Sequence, residues 1–76
     1  MTEASAKLFE ALARDAGNWS GTPPLGHNVA TDAASRGNVT QLKVLGLITT
    51  YREDGDTWVD FTAAGMALAT EMGIHI

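Results

Sequence analysis

The chain has no cysteine among its 76 residues, which excludes disulfide bonds, thiolate metal sites and a cysteine nucleophile. It also has no apolar run near the roughly 20 residues that a helix needs to cross a bilayer. Its first residues, Met1-Thr-Glu-Ala-Ser, lack the basic start of a signal peptide. We therefore expect a cytoplasmic protein that does not enter a membrane and that is stabilised by core packing alone.

Basic residues are scarce, since five Lys and Arg stand against nine Asp and Glu, for a net charge of −4. This balance opposes nucleic-acid binding, because affinity for DNA comes largely from cations that neutralise phosphates. However, Arg36, Lys43 and Arg52 lie in a window, residues 36–52, without any acidic residue. The window carries +3 and the rest of the chain −7. Two explanations remain open for it, an ordinary solvated surface and a surface that contacts phosphates.

Hydrophobic residues make up 45% of the chain and charged residues 18%, as in globular proteins. A chain of this length accommodates one small core, so we expect a single domain over residues 1–76. Residues 3–16 predict a first helix capped by Thr2. The glycines and prolines of residues 18–26 predict a loop, from which Trp19 is expected to fill the core. Residues 27–36 predict a short second helix that ends in a turn at Gly37.

The second half of the chain predicts two further helices on either side of a hairpin. Asn38 with Gln41 three positions later resembles a capping box, so we expect a third helix to begin at Asn38 and to end at Gly46. Its expected apolar stripe is Val39, Leu42 and Leu45. Thr62 is expected to cap a C-terminal helix that ends at Gly73.

The dipeptide Asp54-Gly55 lies between two β-branched and aromatic runs and predicts a two-residue hairpin turn. The turn fixes the strand pairing and places Tyr51 opposite Trp58 on the outer face. Two exposed aromatic rings are typical of a protein-binding anchor. The alternative is that the C-terminal tail or the loop around Trp19 covers them, and the sequence leaves both explanations open.

The segments Leu42-Lys-Val-Leu-Gly46-Leu47-Ile48 and Phe61-Thr62-Ala-Ala-Gly65 resemble the winged helix-turn-helix superfamily, in particular the MarR- and ArsR-type bacterial regulators. In those families a third helix ends in Leu-x-x-x-Gly-Leu-Ile/Val and leads into a wing, and Leu-Thr-x-x-Gly then opens the next helix. The resemblance implies an α+β fold, a small winged helix-turn-helix domain with three helices, a β-hairpin wing and a C-terminal helix. The chain departs from the family pattern at its wing tip, which is acidic.

The resemblance also implies a function, that of a prokaryotic or phage transcriptional regulator whose third helix and wing contact double-stranded DNA. Thr40 and Gln41 are then expected to reach base edges. The residues expected to position the DNA backbone are Arg36, Asn38, Lys43 and Arg52.

A second hypothesis is a winged helix module for protein–protein interaction or dimerisation that has no affinity for DNA and uses Tyr51 and Trp58. A homodimer fits either hypothesis, because the apolar residues Met72, Ile74 and Ile76 are able to pair across a two-fold axis.

Catalytic and metal-binding residues do not form a recognisable pattern in this sequence. His27 and His75 lack the spacing to a second ligand that zinc sites use. The serines have no neighbouring base, and a chain of this size offers little room for a deep cleft. We therefore expect neither an enzyme nor a bound metal or cofactor.

Overall fold

The computed structural model of the chain describes residues 1–29 and 31–76. This part of the chain is a small α+β fold with three α-helices and a two-stranded antiparallel hairpin. The elements in chain order are α1 (Glu3–Asp15), α2 (Ala33–Val44), β1 (Ile48–Glu53), β2 (Asp56–Phe61) and α3 (Ala63–Glu71), with a short 3₁₀ turn at Ala16–Asn18 after α1.

Helix α1 begins where its sequence predicts. The backbone N–H of Ser5 donates to Thr2 Oγ1 at 3.1 Å, which satisfies one of the amides left open at the helix start. Phe9 and Leu12 are fully buried on one face, at the spacing of three residues that a helix brings together. Helix α1 thus contributes the centre of the core.

Helix α2 is one continuous helix, so the prediction of two helices separated by a turn at Gly37 is wrong. Asp32 is the N-cap, because its Oδ1 accepts from the backbone N–H of Ser35 at 2.8 Å. Asn38 therefore lies inside the helix and does not cap it. The predicted helix at residues 27–36 is also wrong for residues 27–29 and 31–32, since His27 and Asn28 lie in a turn, Val29 forms an isolated bridge with Leu25, and the helix starts only at Ala33. Ala30 lies outside the described residues.

The hairpin has the predicted register, from Ile48 opposite Phe61 to Glu53 opposite Asp56. Asp54 and Gly55 both have positive φ, 53° and 82°, as a turn of this kind requires. The free edge of β2 is bridged by residues 23–25. The N–H of Val59 donates to the carbonyl of Pro23 at 2.9 Å, and the N–H of Leu25 donates to the carbonyl of Thr57 at 2.8 Å.

Helix α3 begins against the turn that joins α2 to β1. Thr62 caps it by accepting from the N–H of Gly65 at 3.0 Å, as predicted. The Thr62 hydroxyl also donates to the carbonyl of Gly46 at 2.6 Å. Gly46 has a φ of 74°, which confirms the left-handed helix end predicted for it. The bond from Thr62 to Gly46 therefore holds the α2–β1 turn against the start of α3.

The core lies between α1, the inner face of α2 and the inner face of the hairpin. Its fully buried large side chains include Phe9, Leu42 and Val59, and the ring of Phe61 meets Phe9 edge to face at 5.7 Å. The prediction that Leu45 is buried with Val39 and Leu42 is wrong, since Leu45 is 47% exposed. Leu45 follows the last residue of α2, where the chain is already turning toward β1.

Candidate nucleic-acid interface

Three of the predicted DNA-contacting residues share the exposed face of α2. Arg36, Thr40 and Lys43 are separated by four and three positions, which brings them onto one side of a helix, and all three are exposed. Thr40 donates its hydroxyl to the carbonyl of Arg36 at 3.1 Å, so this hydroxyl is already engaged along its own helix. The two cations thus remain the chemically available groups of this face.

Two other predicted contacts, Asn38 and Gln41, lie on a different face of α2 and turn toward the start of α1. Asn38 Oδ1 accepts from the hydroxyl of buried Ser5 at 3.2 Å. Gln41 Oε1 accepts from the backbone N–H of Thr2 at 3.1 Å. These bonds attach α2 to α1 through the two amide oxygens, and the contact of Asn38 and Gln41 with DNA stays a prediction.

The sixth predicted residue, Arg52, lies on β1 beside the hairpin turn. Its guanidinium donates to the carbonyl of Gly55 at 3.3 Å and to Thr57 Oγ1 at 3.5 Å. Arg52 and Arg36 line one cleft of about 350 Å³ between α2 and the hairpin. The cleft brings together two cations that are 16 positions apart in sequence. Its remaining lining residues are Leu25, Thr31, Val39, Gly55, Asp56 and Thr57.

Asp56 supplies a carboxylate to this cleft and is paired with a histidine. The ring nitrogen Nε2 of His27 lies 2.9 Å from Asp56 Oδ1. This pair connects the loop after α1 to the hairpin. The sequence did not reveal it, because the two residues are 29 positions apart and no local pattern joins them.

A buried carboxylate, Asp15, lies close enough to His27 for their charges to interact. Its Oδ1 accepts from Asn18 at 3.0 Å and from Asn28 at 2.9 Å. Burial raises the pKa of Asp15. The hydrogen bonds from the two asparagines, the nearby indole of Trp19 and the charge of His27 lower it by a larger amount, so the pKa of Asp15 lies below its usual value. Asp15 Oδ2 and Trp19 Nε1 are buried without a hydrogen-bond partner among the described residues.

The basic residues divide into two groups by their ion pairs. Lys7 pairs with Glu3 at 3.3 Å and Arg14 pairs with Glu10 at 3.2 Å, both along α1. Within the described residues, none of the three cations of the acid-free window is paired with a carboxylate. The cations that are available to an external anion are therefore those of α2 and the hairpin.

The aromatic pair Tyr51 and Trp58 is partly covered, as one of the two open explanations anticipated. Trp19 packs edge to face on Trp58 at 5.8 Å, and the Trp58 indole donates to the carbonyl of Glu53 at 3.0 Å. Tyr51 keeps 38% of its surface exposed. Trp19 thus packs on the outer face of the hairpin, and the prediction that it fills the main core is wrong.

The C-terminal residues proposed for dimer contacts fold back on the protein itself. Ile74 is buried in the core, and its N–H donates to the carbonyl of Ala69 at 2.8 Å. Met72 and Ile76 are half-buried against the same core. Ile74 is therefore not free to pair with a second copy.

Over the residues that the structure describes, no group of three His, Asp or Glu side chains is placed to hold a metal ion. In the same part of the chain, no helix has the length and apolar character to cross a membrane. No family model, curated protein or solved structure matches this chain.

Proposed function

We propose that this chain is a small winged helix DNA-binding protein, a prokaryotic or phage transcriptional regulator that contacts duplex DNA with α2 and the hairpin. The observation that carries the proposal is the division of its cations. Those of α1 are held by neighbouring glutamates, while Arg36, Lys43 and Arg52 are free of carboxylate partners within the described residues and lie on α2 and the adjoining hairpin.

The arrangement of elements supports the same proposal. Helix α2 leads directly into the hairpin, as a recognition helix leads into a wing. In place of a separate second and third helix, this chain has one helix of 12 residues. We assign the recognition role to its exposed C-terminal half. Asn38 and Gln41 then hold α2 on α1 and set its angle.

The number of available cations predicts how strongly DNA binding should depend on salt concentration. If three cations each neutralise one phosphate of duplex DNA, the logarithm of the binding constant should fall with the logarithm of salt at a slope of about −2.7. The affinity should then drop by about 40-fold between 50 and 200 mM salt. This mode of binding is independent of sequence, so a random duplex is a suitable probe.

The experiment is an anisotropy titration of a labelled random duplex over this salt range. Arg36→Ala, Lys43→Ala and Arg52→Ala should each weaken binding and reduce the slope by about 0.9. Lys7→Ala and Arg14→Ala are matched controls, because they remove the same charge from ion-paired positions on α1, and they should keep the full slope. Absence of binding at 50 mM salt, or equal effects of all five variants, would contradict the proposal.

The second candidate is a protein-interaction module without affinity for DNA. The observation in its favour is now Tyr51 alone, because Trp58 is covered by Trp19 and its N–H is already bonded within the hairpin. A dimer through the C-terminus also loses Ile74 to the core. We therefore propose that a single copy of the chain is the unit that binds DNA. Its proposed role is binding and not catalysis.

A further inference from the structure

We propose that the cleft between α2 and the hairpin is a site for backbone phosphate, in which Arg36 and Arg52 each neutralise one phosphate charge, and that protonation of His27 strengthens it by neutralising Asp56. The inference rests on the proposed function, because duplex DNA is taken as the source of the phosphate. It adds a defined position for that phosphate and a dependence on pH.

The cleft has the chemistry of a phosphate site. Arg36 and Arg52 line it from α2 and from the hairpin. A guanidinium presents its N–H groups as a planar fork that matches two oxygens of a phosphate. The contacts of Arg52 with Gly55 and Thr57 hold this side chain in position at the cleft.

Asp56 opposes the binding of an anion in the same cleft. Its carboxylate lies among the lining residues, and its negative charge offsets one of the two arginines. The groups that face His27 are Asp56 from β2, at 2.9 Å, and Trp19, whose ring lies at 5.8 Å, with Asp15 charged on the α1 side. Histidine is the side chain whose charge ordinarily changes between pH 5 and pH 8.

The direction of the effect follows from these charges. While His27 is neutral, it does not compensate the negative charge that Asp56 places beside the phosphate. When His27 takes up a proton, the pair becomes neutral as a whole and the cleft gains one positive charge. One charge corresponds to a change of about 0.9 in the salt slope, or about eightfold in affinity at 0.1 M salt. Affinity for phosphate should therefore rise as the pH falls from 8 to 5.5.

The test measures binding of the random duplex at pH 8.0 and pH 5.5 in 0.1 M salt. Wild-type protein should bind more tightly at the lower pH, and one full charge sets the upper bound of this effect at about eightfold. His27→Gln, which keeps a neutral hydrogen-bonding side chain next to Asp56, should reduce this ratio to less than about twofold. Asp56→Asn should raise affinity at pH 8.0. His75→Gln is the matched control, because His75 is an exposed histidine at the opposite end of the chain, and it should behave as wild type.

A second titration with inorganic pyrophosphate separates the two sources of phosphate. It is followed by the ¹⁵N-labelled side-chain Nε–H signals of Arg36 and Arg52. If pyrophosphate shifts both signals and the shift depends on His27, the cleft takes free phosphate as well as DNA. If the wild type fails to bind DNA at either pH but shows this pyrophosphate response, the result contradicts the proposed function and supports the phosphate site. An unchanged pH ratio in folded His27→Gln would overturn the inference while leaving the proposed function intact.

Discussion

Gly65 and Gly37 both lie inside α-helices, but their surroundings predict opposite effects for the same substitution. A methyl group at Gly65 would overlap the carbonyl oxygen of Leu47 and lie 3.0 Å from its carbonyl carbon. No atom lies within 4 Å of the position that a methyl group would take at Gly37. The pair therefore tests the packing of α3 and the continuity of α2 in one experiment.

The magnitudes follow from helix propensity and from the fixed position of the Leu47 carbonyl. Alanine is favoured over glycine in a helix by about 1 kcal/mol, so Gly37→Ala should stabilise by roughly 0.5–1 kcal/mol. The Leu47 carbonyl accepts from the backbone N–H of Thr62 at 3.1 Å and cannot move without loss of this bond. Overpacking of this kind costs about 1–3 kcal/mol and the lost bond about 1 kcal/mol. After the gain in propensity of about 1 kcal/mol, Gly65→Ala should destabilise by about 2 kcal/mol.

The assay is urea unfolding followed by the fluorescence of the two tryptophans, with the free energy of unfolding compared among the three proteins. A Gly65→Ala variant as stable as wild type would refute the close approach of α3 to Leu47. A loss of stability in Gly37→Ala would refute the continuous helix, because it would indicate the positive φ of a turn between two separate helices.

Three further predictions concern the contacts around this core. Asn38→Ala should cost about 1 kcal/mol in unfolding free energy, since it removes the acceptor of the buried Ser5 hydroxyl, and should leave the salt slope of DNA binding unchanged. Trp58→Ser should destabilise by about 2 kcal/mol and Tyr51→Ser by less than about 1 kcal/mol in the same unfolding assay, because only Trp58 is packed on another ring. Because the pKa of Asp15 is lowered by folding, the ionised carboxylate contributes its full stabilisation above the pKa of the unfolded chain, near about pH 4, and this stabilisation is lost as the pH falls through the folded pKa. In an acid titration, Asp15→Asn should therefore lose less unfolding free energy below about pH 4 than the wild type does.

The hairpin could be predicted residue by residue because its information is local. Asp54-Gly55 requires only that two consecutive residues adopt positive φ, and the pairing of the strands then follows. The caps Thr2 and Thr62 were predictable for the same reason, since each bonds to an amide three residues away. Local chemistry therefore sufficed for one strand pair and two helix starts.

Helix α2 could not be predicted in the same way, because distant contacts decide how its polar residues are used. Asn38 has the local pattern of a cap, but its side chain accepts from Ser5, which is 33 positions away. Asp32 supplies the cap instead, and Gly37 is tolerated within the helix at a cost of roughly 0.5–1 kcal/mol. The predicted turn at Gly37 is wrong because the helix capped by Asp32 runs through it, and Asn38 bonds to Ser5 of α1 and caps no helix.

At the candidate site, too, local sequence information predicted some features, while others depend on contacts between distant residues. The acid-free window identified Arg36, Lys43 and Arg52 from sequence, and the structure places two of them at one cleft. The pairing of Asp56 with His27 was not predictable, because the intervening chain must first fold before the two side chains meet. Charge segregation along a sequence thus reveals which cations are available, and only the fold reveals which carboxylates lie beside them.

The most direct test of the central claim is an NMR titration of ¹⁵N-labelled protein with a short random duplex at low salt. We expect the largest shifts on the exposed face of α2, at Thr40 and Lys43, and on the side-chain signals of Arg36 and Arg52, while α1 amides near Arg14 stay unchanged. Shifts confined to α1 or α3, or no shift at a protein concentration far above the expected dissociation constant, would contradict the assignment of α2 and the hairpin as a DNA-binding surface.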